Sequence, residues 1–145
     1  MTQILYELGY NFITDIDVDK NPEVLQNFDK IIILHNEYVN RKAFDAISTH
    51  PNVIFLYPNA LYAEVAVDYS DNTEKLIHSH NYPNYPNGPS NVLDYEIEER
   101  FDEYAFDIEC LEWTFVEIEN GNYLNCYPDY AIDANLEIIL AINYL

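Results

Sequence analysis

Continuous apolar runs alternate with amphipathic segments through the first half of the chain, and this pattern predicts alternating strands and helices. Residues 31–34 and 53–57 are apolar throughout, which is typical of strands buried on both faces of a sheet. Helices are predicted for residues 2–9, for a short segment that starts at Asn21-Pro22-Glu23 and ends near Phe28, and for residues 41–49 behind an Asn40 N-cap. Helix and strand in this order, with short connections, predict a parallel, right-handed α/β sheet.

Alternating apolar and polar residues predict strands in further parts of the chain. Residues 11–18 have the pattern of a strand at the border of the sheet, and residues 63–69 and 73–80 have the pattern of a hairpin joined by Ser70-Asp71-Asn72. Residues 113–118 and 123–127 flank Asn120-Gly121, which predicts a second hairpin with a two-residue turn and with Tyr123 opposite Ile118.

A C-terminal helix is predicted to begin at Asp133-Ala134-Asn135. Because apolar residues cover most of its circumference, we expect it to be well buried. The length of 145 residues suits one domain. Within it we expect an α/β core over residues 1–80, a connection over 81–109 that is rich in Pro, Asn and acidic residues, and a hairpin plus helix over 110–145.

The sheet lacks the strand with which such folds usually begin, because the chain opens directly into a helix. An apolar strand edge left uncovered promotes aggregation, so natural proteins cover such edges. We therefore expect the edge of the strand at residues 31–34 to be paired by residues 63–67, by residues 76–80, or by a strand from a second chain. The last alternative predicts a homo-oligomer or a larger assembly.

The charge of the chain is strongly negative and unevenly distributed. The formal net charge is −20, of which residues 1–42 contribute −3, since they hold 7 acidic and 4 basic residues. Such acidity argues against binding the phosphate backbone of nucleic acids or anionic membranes. We expect no membrane insertion, because no apolar run approaches the roughly 20 residues that a spanning helix needs. The first residues lack a signal peptide's pattern, which makes a cytoplasmic location the default expectation, while the acidity and two cysteines leave an extracellular one open.

The acidic residues are densest over residues 94–112, where one Arg stands among nine carboxylates: Asp94, Glu96, Glu98, Glu99, Asp102, Glu103, Asp107, Glu109 and Glu112. One interpretation is a solvated face that keeps the protein soluble. The other is a surface that binds divalent cations. The segment contains no Gly at which a calcium-binding loop could turn sharply, so an EF-hand is not predicted.

The chain contains two cysteines, Cys110 and Cys126, which allow one disulfide. A two-residue turn at Asn120-Gly121 would place Cys126 opposite Phe115 and would put Cys110 beyond disulfide reach if its strand is straight. A bend or bulge before Trp113 would bring the two sulfur atoms together. Neither cysteine lies in a nucleophile motif, so a catalytic thiol is not predicted.

Polar residues follow the two predicted buried strands at the end where open α/β sheets bind ligands. His35 and Glu37 follow the first strand, and Asn59, Tyr62 and Glu64 follow the second, so the latter three are candidate ligand-binding residues. His35 and Glu37 are the candidates for a catalytic pair or for metal ligands, since imidazole and carboxylate can bind a metal or transfer a proton. The alternative is a structural role, with His35 hydrogen-bonded locally and Glu37 interacting with the dipole of the following helix.

The order strand-His-x-Glu-Tyr-helix, then strand-x-x-Asn-x-x-Tyr, resembles the glutamine-amidotransferase-like domain of the N,N-dimethylformamidase large subunit over roughly residues 1–67. The resemblance implies a flavodoxin-like, class I glutamine-amidotransferase-like α/β layer without its usual first strand. In that family an iron is held by Glu and Tyr side chains, which implies Glu37 as a ligand with His35 beside it and Tyr62 as a looser match. No cysteine follows residues 53–57, which argues against glutamine hydrolysis. The remainder is similar only to uncharacterised acidic archaeal proteins.

Three functions are consistent with these features. The first is a degenerate or non-catalytic amidotransferase-like module that acts in binding or assembly. The second is a small metal-dependent amidohydrolase that uses Glu37 and His35 with iron or zinc. The third is an acidic surface protein that binds divalent cations through residues 94–112. Metal analysis of the purified protein separates the first two.

Overall fold

Two sheets organise the computed structural model, which describes residues 1–57, 60–61, 63–78, 110–130 and 134–145. Over these residues the strands are β1 Ile31–Ile33, β2 Tyr38–Val39, β3 Val53–Phe55, β4 Ala63–Asp68, β5 Thr73–His78, β6 Phe115–Ile118 and β7 Gly121–Leu124. The α-helices are α1 Thr2–Glu7, α2 Asp15–Lys20, α3 Arg41–Ser48 and α4 Asn135–Ala141, with 3₁₀ turns at Pro22–Asn27, Pro128–Tyr130 and Ile142–Tyr144. The fold is therefore α/β, as predicted, with both parallel and antiparallel pairing.

The larger sheet has the strand order β1-β3-β7-β6 and is built around β3. Strand β3 is parallel to both β1 and β7, and β7 forms an antiparallel hairpin with β6. The side chains of β3 are completely buried, because Val53 and Phe55 pack towards α3 while Ile54 packs towards α4 and its neighbours. The sheet thus separates two apolar layers, which confirms that the runs at residues 31–34 and 53–57 are parallel strands with apolar residues on both faces.

Helix α3 connects β2 with β3 and begins where its sequence predicts. The Asn40 side chain accepts a hydrogen bond from the Ala43 backbone N–H at 2.9 Å, which satisfies one of the free donors of the first turn. Phe44 and Ile47 are buried against the larger sheet. The predicted segment after Asn21 forms a 3₁₀ helix that ends just before Phe28, and its Asn21 side chain makes no capping hydrogen bond.

The smaller sheet has the order β2-β4-β5 and contains the predicted hairpin, in which Asp68 lies opposite Thr73. Strand β4 uses its other edge to pair in parallel with β2. Neither strand of this hairpin therefore covers the outer edge of β1, so the expectation that residues 63–67 or the described part of 76–80 would pair with it is wrong. Within the described ranges, β1 remains the terminal strand of its sheet.

The expected border strand at residues 11–18 is wrong, because residues from Asp15 onwards form α2. A capping box decides this: the Asp17 N–H donates to Thr14 Oγ1 at 3.2 Å, and the Thr14 N–H donates to an Asp17 carboxylate oxygen at 2.9 Å. The alternating pattern does not correspond to one buried face, since Val18 is buried whereas Phe12 and Ile16 are about half exposed.

The second hairpin forms, but its two-residue turn lies one residue earlier in the chain than predicted, so the cross-strand partners differ from those predicted. Ile118 lies opposite Gly121, so the turn consists of Glu119 and Asn120, and Tyr123 faces Val116. Contacts with β3 select this register. The Val53 N–H donates to the Asn120 carbonyl at 2.9 Å, and a Cβ on Gly121 would lie 1.8 Å from the Val53 carbonyl oxygen.

A disulfide joins Cys110 to Cys126, with a Cα–Cα distance of 5.3 Å. Cys110 has a positive φ of 51°, so the chain turns before β6, which corresponds to the bent alternative of the sequence analysis. The bridge packs in the apolar layer of Ile138 and Ile142. The expectation of a well-buried C-terminal helix is only half right, because its other side, Leu136, Leu140 and Tyr144, is exposed by 44–90%.

Candidate functional site

Three parallel strands, β1, β3 and β7, end at the same side of the larger sheet. The residues that follow them form what we call the carboxyl-end cluster: His35 and Glu37 after β1, Tyr57 after β3, and Tyr127 and Asp129 after β7. Open α/β sheets bind ligands at this end, because the loops there diverge and leave a crevice. The cluster is therefore the first candidate for a functional site.

Tyr57 lies at the centre of the cluster and is almost completely buried. The His35 ring stacks on the Tyr57 ring with a centroid distance of 4.5 Å. The Tyr127 ring packs edge-on against Tyr57 with a centroid distance of 6.5 Å. The Tyr57 hydroxyl donates to Asp129 Oδ1 at 2.5 Å. Burial, together with this hydrogen bond and the charge of Asp129, raises the pKa of Tyr57 above its ordinary value, so its hydroxyl stays protonated and bonded at neutral pH.

His35 and Glu37 form a solvent-accessible pair within the cluster. His35 Nε2 lies 3.9 Å from Glu37 Oε2, and the two side chains are 48% and 31% exposed. An imidazole beside a carboxylate can hold or transfer a proton. Iron or zinc bound by protein side chains uses three or more of them, and the described residues contain no group of three His, Cys, Asp or Glu suited to a metal. Within the described part of the chain, His35 and Glu37 thus supply two candidate metal ligands.

Of the three other predicted binding residues, Glu64, Asn59 and Tyr62, the structure describes only Glu64. The Glu64 carboxylate lies on β4 and forms an ion pair with Arg41 at 3.0 Å, which connects the smaller sheet to the start of α3. Asn59 and Tyr62 lie outside the described residues, as do the carboxylates of residues 94–109. Their proposed roles stay predictions.

Sequence reasoning did not identify Tyr57 and Asp129 as members of this site. Tyr57 is the last residue of a buried apolar run and therefore has the pattern of a core residue. Asp129 lies 72 positions further along the chain, and it reaches Tyr57 because β7 pairs in parallel with β3. A hairpin signal predicts local pairing only, so nothing in the sequence pattern indicated this contact.

A second feature, the edge groove, runs along the outer edge of β1. It is a cavity of about 860 Å³ between residues 31–34 on one side and residues 10–15 on the other. Its lining is mainly apolar, with Leu5, Leu8, Val18, Leu25 and Phe28 on its walls, and it extends to His35 and Asn36. The edge groove therefore ends at the carboxyl-end cluster, and the two features form one continuous candidate site.

The backbone of β1 presents hydrogen-bonding groups to this groove. The Ile31 N–H donates to Asn52 and the Ile33 carbonyl accepts from Leu56, both at 3.0 Å, so these two residues face β3. Successive residues of a strand direct their N–H and C=O groups to opposite edges. Lys30, Ile32 and Leu34 consequently direct theirs away from β3, towards the groove.

No protein-family model, no curated protein and no solved structure matches this chain. The resemblance to the amidotransferase-like domain therefore stays a prediction. Among the described residues, none of the helices combines the length and apolar character needed to cross a bilayer.

Proposed function

We propose that this protein is a non-catalytic, amidotransferase-like α/β module of the flavodoxin-like kind that acts in assembly. Its binding site is the edge groove, and its ligand is an extended polypeptide segment that adds to β1 as a further strand. The observation that carries this proposal is that the outer edge of β1 lines a mainly apolar cavity of about 860 Å³.

Strand addition uses the two properties that this groove combines. Backbone groups at an open edge supply affinity through ladder hydrogen bonds, and pockets beside the edge select alternate side chains of the added segment. Strand β1 consists of three isoleucines and carries no charge that would oppose such pairing. The walls formed by Leu5, Val18 and Leu25 supply apolar surface for the side chains of the bound segment.

The carboxyl-end cluster supports a binding role more than a catalytic one. The Tyr57 hydroxyl donates to Asp129, and burial with this bond raises the pKa of Tyr57, which disfavours the phenolate that a base or nucleophile would need. His35 and Asn36 lie where the groove ends, so they provide polar contacts for one end of a bound segment. Such contacts would set the direction in which the segment lies.

The test uses a synthetic peptide of residues 29–35 as a probe strand, with a scrambled peptide of the same composition as its control. We expect the probe to shift the backbone amide NMR signals of Lys30, Ile32 and Leu34. Ile32→Pro removes an edge N–H and should abolish the shift, while Ile32→Ala keeps that N–H and should retain it. Equal responses to the probe and scrambled peptides, or equal binding by the Pro and Ala variants, would refute strand addition.

A second candidate function, the metal-dependent amidohydrolase, is favoured by the contact between His35 and Glu37. Iron and zinc are measured in the purified protein and in two variants, Glu37→Ala and the exposed control Glu74→Ala. Stoichiometric metal that is lost only in Glu37→Ala would support the hydrolase. Folded protein with no bound metal after reconstitution would exclude it.

A further inference from the structure

We infer that the ligand of the edge groove is a single, basic, extended segment of another protein, held by hydrogen bonds along both of its edges. One edge of the segment pairs with β1, and the other pairs with residues 11–13 in the opposite wall of the groove. This inference rests on the proposed function, because it names the class of segment that the same groove binds.

The backbone of residues 11–13 has hydrogen-bonding groups available for a ligand. In the described part of the chain, no hydrogen bond involves the backbone N–H or carbonyl groups of Asn11, Phe12 and Ile13. These residues form neither helix nor strand, and Thr14, which follows them, is extended with φ −98° and ψ 161°. Since successive residues of an extended chain direct these groups to opposite edges, whichever edge faces the groove carries at least one such residue. The groove therefore has backbone donors and acceptors on two sides, because β1 supplies the other.

This second wall is fixed at both of its ends. At one end the Tyr10 N–H donates to the Leu5 carbonyl at 3.1 Å, and the Tyr10 hydroxyl donates to Asn143 Oδ1 at 3.3 Å. At the other end the capping box between Thr14 and Asp17 holds the start of α2. A wall that is held in this way loses little conformational freedom when a ligand binds, which favours affinity.

The same wall determines what can enter the groove. A strand that belongs to a sheet has a neighbouring strand roughly 4.8 Å away, and that neighbour would collide with residues 10–15. Strand β1 of a second copy is excluded for this reason, because β3 lies beside it. The ligand is therefore a segment without strand partners of its own.

The charge of the groove favours a basic segment. Apart from His35, its lining contains two charged side chains, Asp15 and Lys30. The Lys30 ammonium group donates to the Ile142 carbonyl at 2.7 Å, whereas among the described residues no cation pairs with the Asp15 carboxylate. Partial burial raises the pKa of Asp15, and a cation beside it would lower that pKa again. A lysine or arginine of the bound segment would compensate the charge of Asp15.

Apolar side chains of the groove would contact the other residues of the segment. Phe12 and Ile13 line the groove and are 44% and 38% exposed, so a ligand can bury more of their surface. In an extended segment alternate side chains point to opposite faces. We therefore expect apolar residues to alternate with basic ones in the ligand.

The first test measures the binding of synthetic peptides to the full chain by isothermal titration calorimetry. The parent peptide, acetyl-Thr-Val-Lys-Val-Lys-Val-Thr-amide, alternates valine with lysine. One derivative carries N-methyl groups on both lysines and another carries them on two valines, so each lacks N–H donors along one edge. Two-sided pairing predicts that each derivative binds about tenfold or more weakly than the parent, because each loses hydrogen bonds. A derivative that binds as tightly as the parent would overturn the inference.

The second test compares Asp15→Asn with Glu74→Gln, an exposed control on β5 that does not line the groove. The two variants change the net charge equally, so a general attraction between the acidic chain and the peptide would weaken equally in both. We expect Asp15→Asn to bind the parent peptide about threefold or more weakly and Glu74→Gln to bind it like the wild type. Equal affinities of the two variants would contradict a basic residue beside Asp15.

Hydrogen exchange shows where the peptide lies. The Ile32 amide should exchange rapidly in the free protein, and the parent peptide should slow it together with at least one amide of residues 11–13. Slow exchange of Ile32 in the free protein would show that the chain's own residues fill the groove, and would overturn the inference. The two proposals fail separately: protection of Ile32 without protection in residues 11–13 disproves two-sided pairing but keeps strand addition, whereas an Ile32 amide that no peptide protects refutes both.

Discussion

The two edge strands of the larger sheet, β6 and β1, differ in whether they carry charged side chains. At one edge, β6 exposes Glu117, and Glu119 follows in the adjacent turn. At the other edge, β1 consists of three isoleucines and borders an apolar cavity. Charged side chains protect an edge strand against unwanted pairing, so β6 has the composition of a strand that ends a sheet. Strand β1 has the composition of an interior strand, which is why we assign it a partner.

The difference follows from the position of each strand between the two apolar layers. Strand β1 is parallel to β3 and lies between both layers, with Ile31 and Ile33 in one and Ile32 in the other, so no position in it can hold an exposed charge. Strand β6 is the outer arm of a hairpin, and its apolar side chains Phe115, Val116 and Ile118 pack only partly buried against the two layers, while Glu117 is exposed. The degree of burial of its side chains therefore distinguishes the edge strand that carries a charge from the one that does not.

Gly121→Ala should have the largest effect, because it separates the hairpin that carries the β6 edge from the rest of the sheet. The new Cβ would lie 1.8 Å from the Val53 carbonyl oxygen, and neither backbone can yield without breaking the pairing of β3 and β7. We expect a loss of more than about 3 kcal/mol in the free energy of unfolding, measured by urea denaturation. Hydrogen exchange should show lost protection in β6 and β7 before β1.

The matched control is Gly9→Ala. Gly9 also has a positive φ, +84°, but a Cβ there meets no atom within 4 Å. We expect the free energy of unfolding to fall by about 1 kcal/mol, because only the backbone of Gly9→Ala is strained. Similar losses for the two variants would show that β7 does not pack closely against β3.

Loss of the disulfide should have the second largest effect and should act on the β6 side of the sheet. The bridge closes a loop with a sequence separation of 16 and ties down the chain that enters β6, whereas β1 has no such link. The free energy of unfolding of the double variant Cys110→Ser/Cys126→Ser should be lower than that of the wild type by about 3 kcal/mol. Thermal unfolding with and without reductant measures this loss, and a wild-type protein insensitive to reductant would contradict it.

Tyr57→Phe should have a smaller effect, because it breaks one bond between the ends of β3 and β7. Removing the hydroxyl that donates to Asp129 should cost about 1 kcal/mol at neutral pH. A tyrosine whose pKa is raised by folding contributes stability that is present below its unfolded pKa of about 10 and is lost as the pH rises above it. The variant should therefore lose less stability than the wild type above about pH 10.

The control for this pH dependence is Tyr69→Phe. The Tyr69 hydroxyl donates to Asp19 at 2.5 Å, and this bond raises the pKa of Tyr69 to about 12, but the pair lies at the surface. Solvent screening should make its contribution smaller than that of the buried Tyr57. Urea unfolding between pH 8 and pH 11 compares the variants, and identical pH profiles would argue against the buried bond.

Glu117→Val should have the smallest effect on stability and is the most direct test of the difference between the edges. Glu117 is exposed, so the free energy of unfolding should change by less than about 0.5 kcal/mol. Solubility should fall, because β6 would then present an apolar edge like that of β1. Light scattering at increasing concentration measures this, with Glu137→Val as the exposed control on a helix, α4, and unchanged scattering would show that Glu117 does not protect the edge.

Local sequence patterns by themselves determined much of this protein. The apolar runs of β1 and β3, the Asn40 cap of α3 and the two hairpins are patterns among near neighbours, and each is evident in the sequence. The acidity of the chain and helix α1 were likewise evident, and the position of α1 ahead of β1 led to the prediction that another segment or a second chain pairs with the edge of β1.

Tertiary structure alone decided the features on which the site depends. Pairing of β7 with β3 set the hairpin register at Gly121 and brought Asp129 to Tyr57. The turn at Cys110 closed the disulfide, and the capping box at Thr14 overrode an alternating pattern that predicted a strand. Contacts between distant residues depend on which surfaces the whole chain can bury together, and a pattern read along a few neighbouring residues does not contain that information.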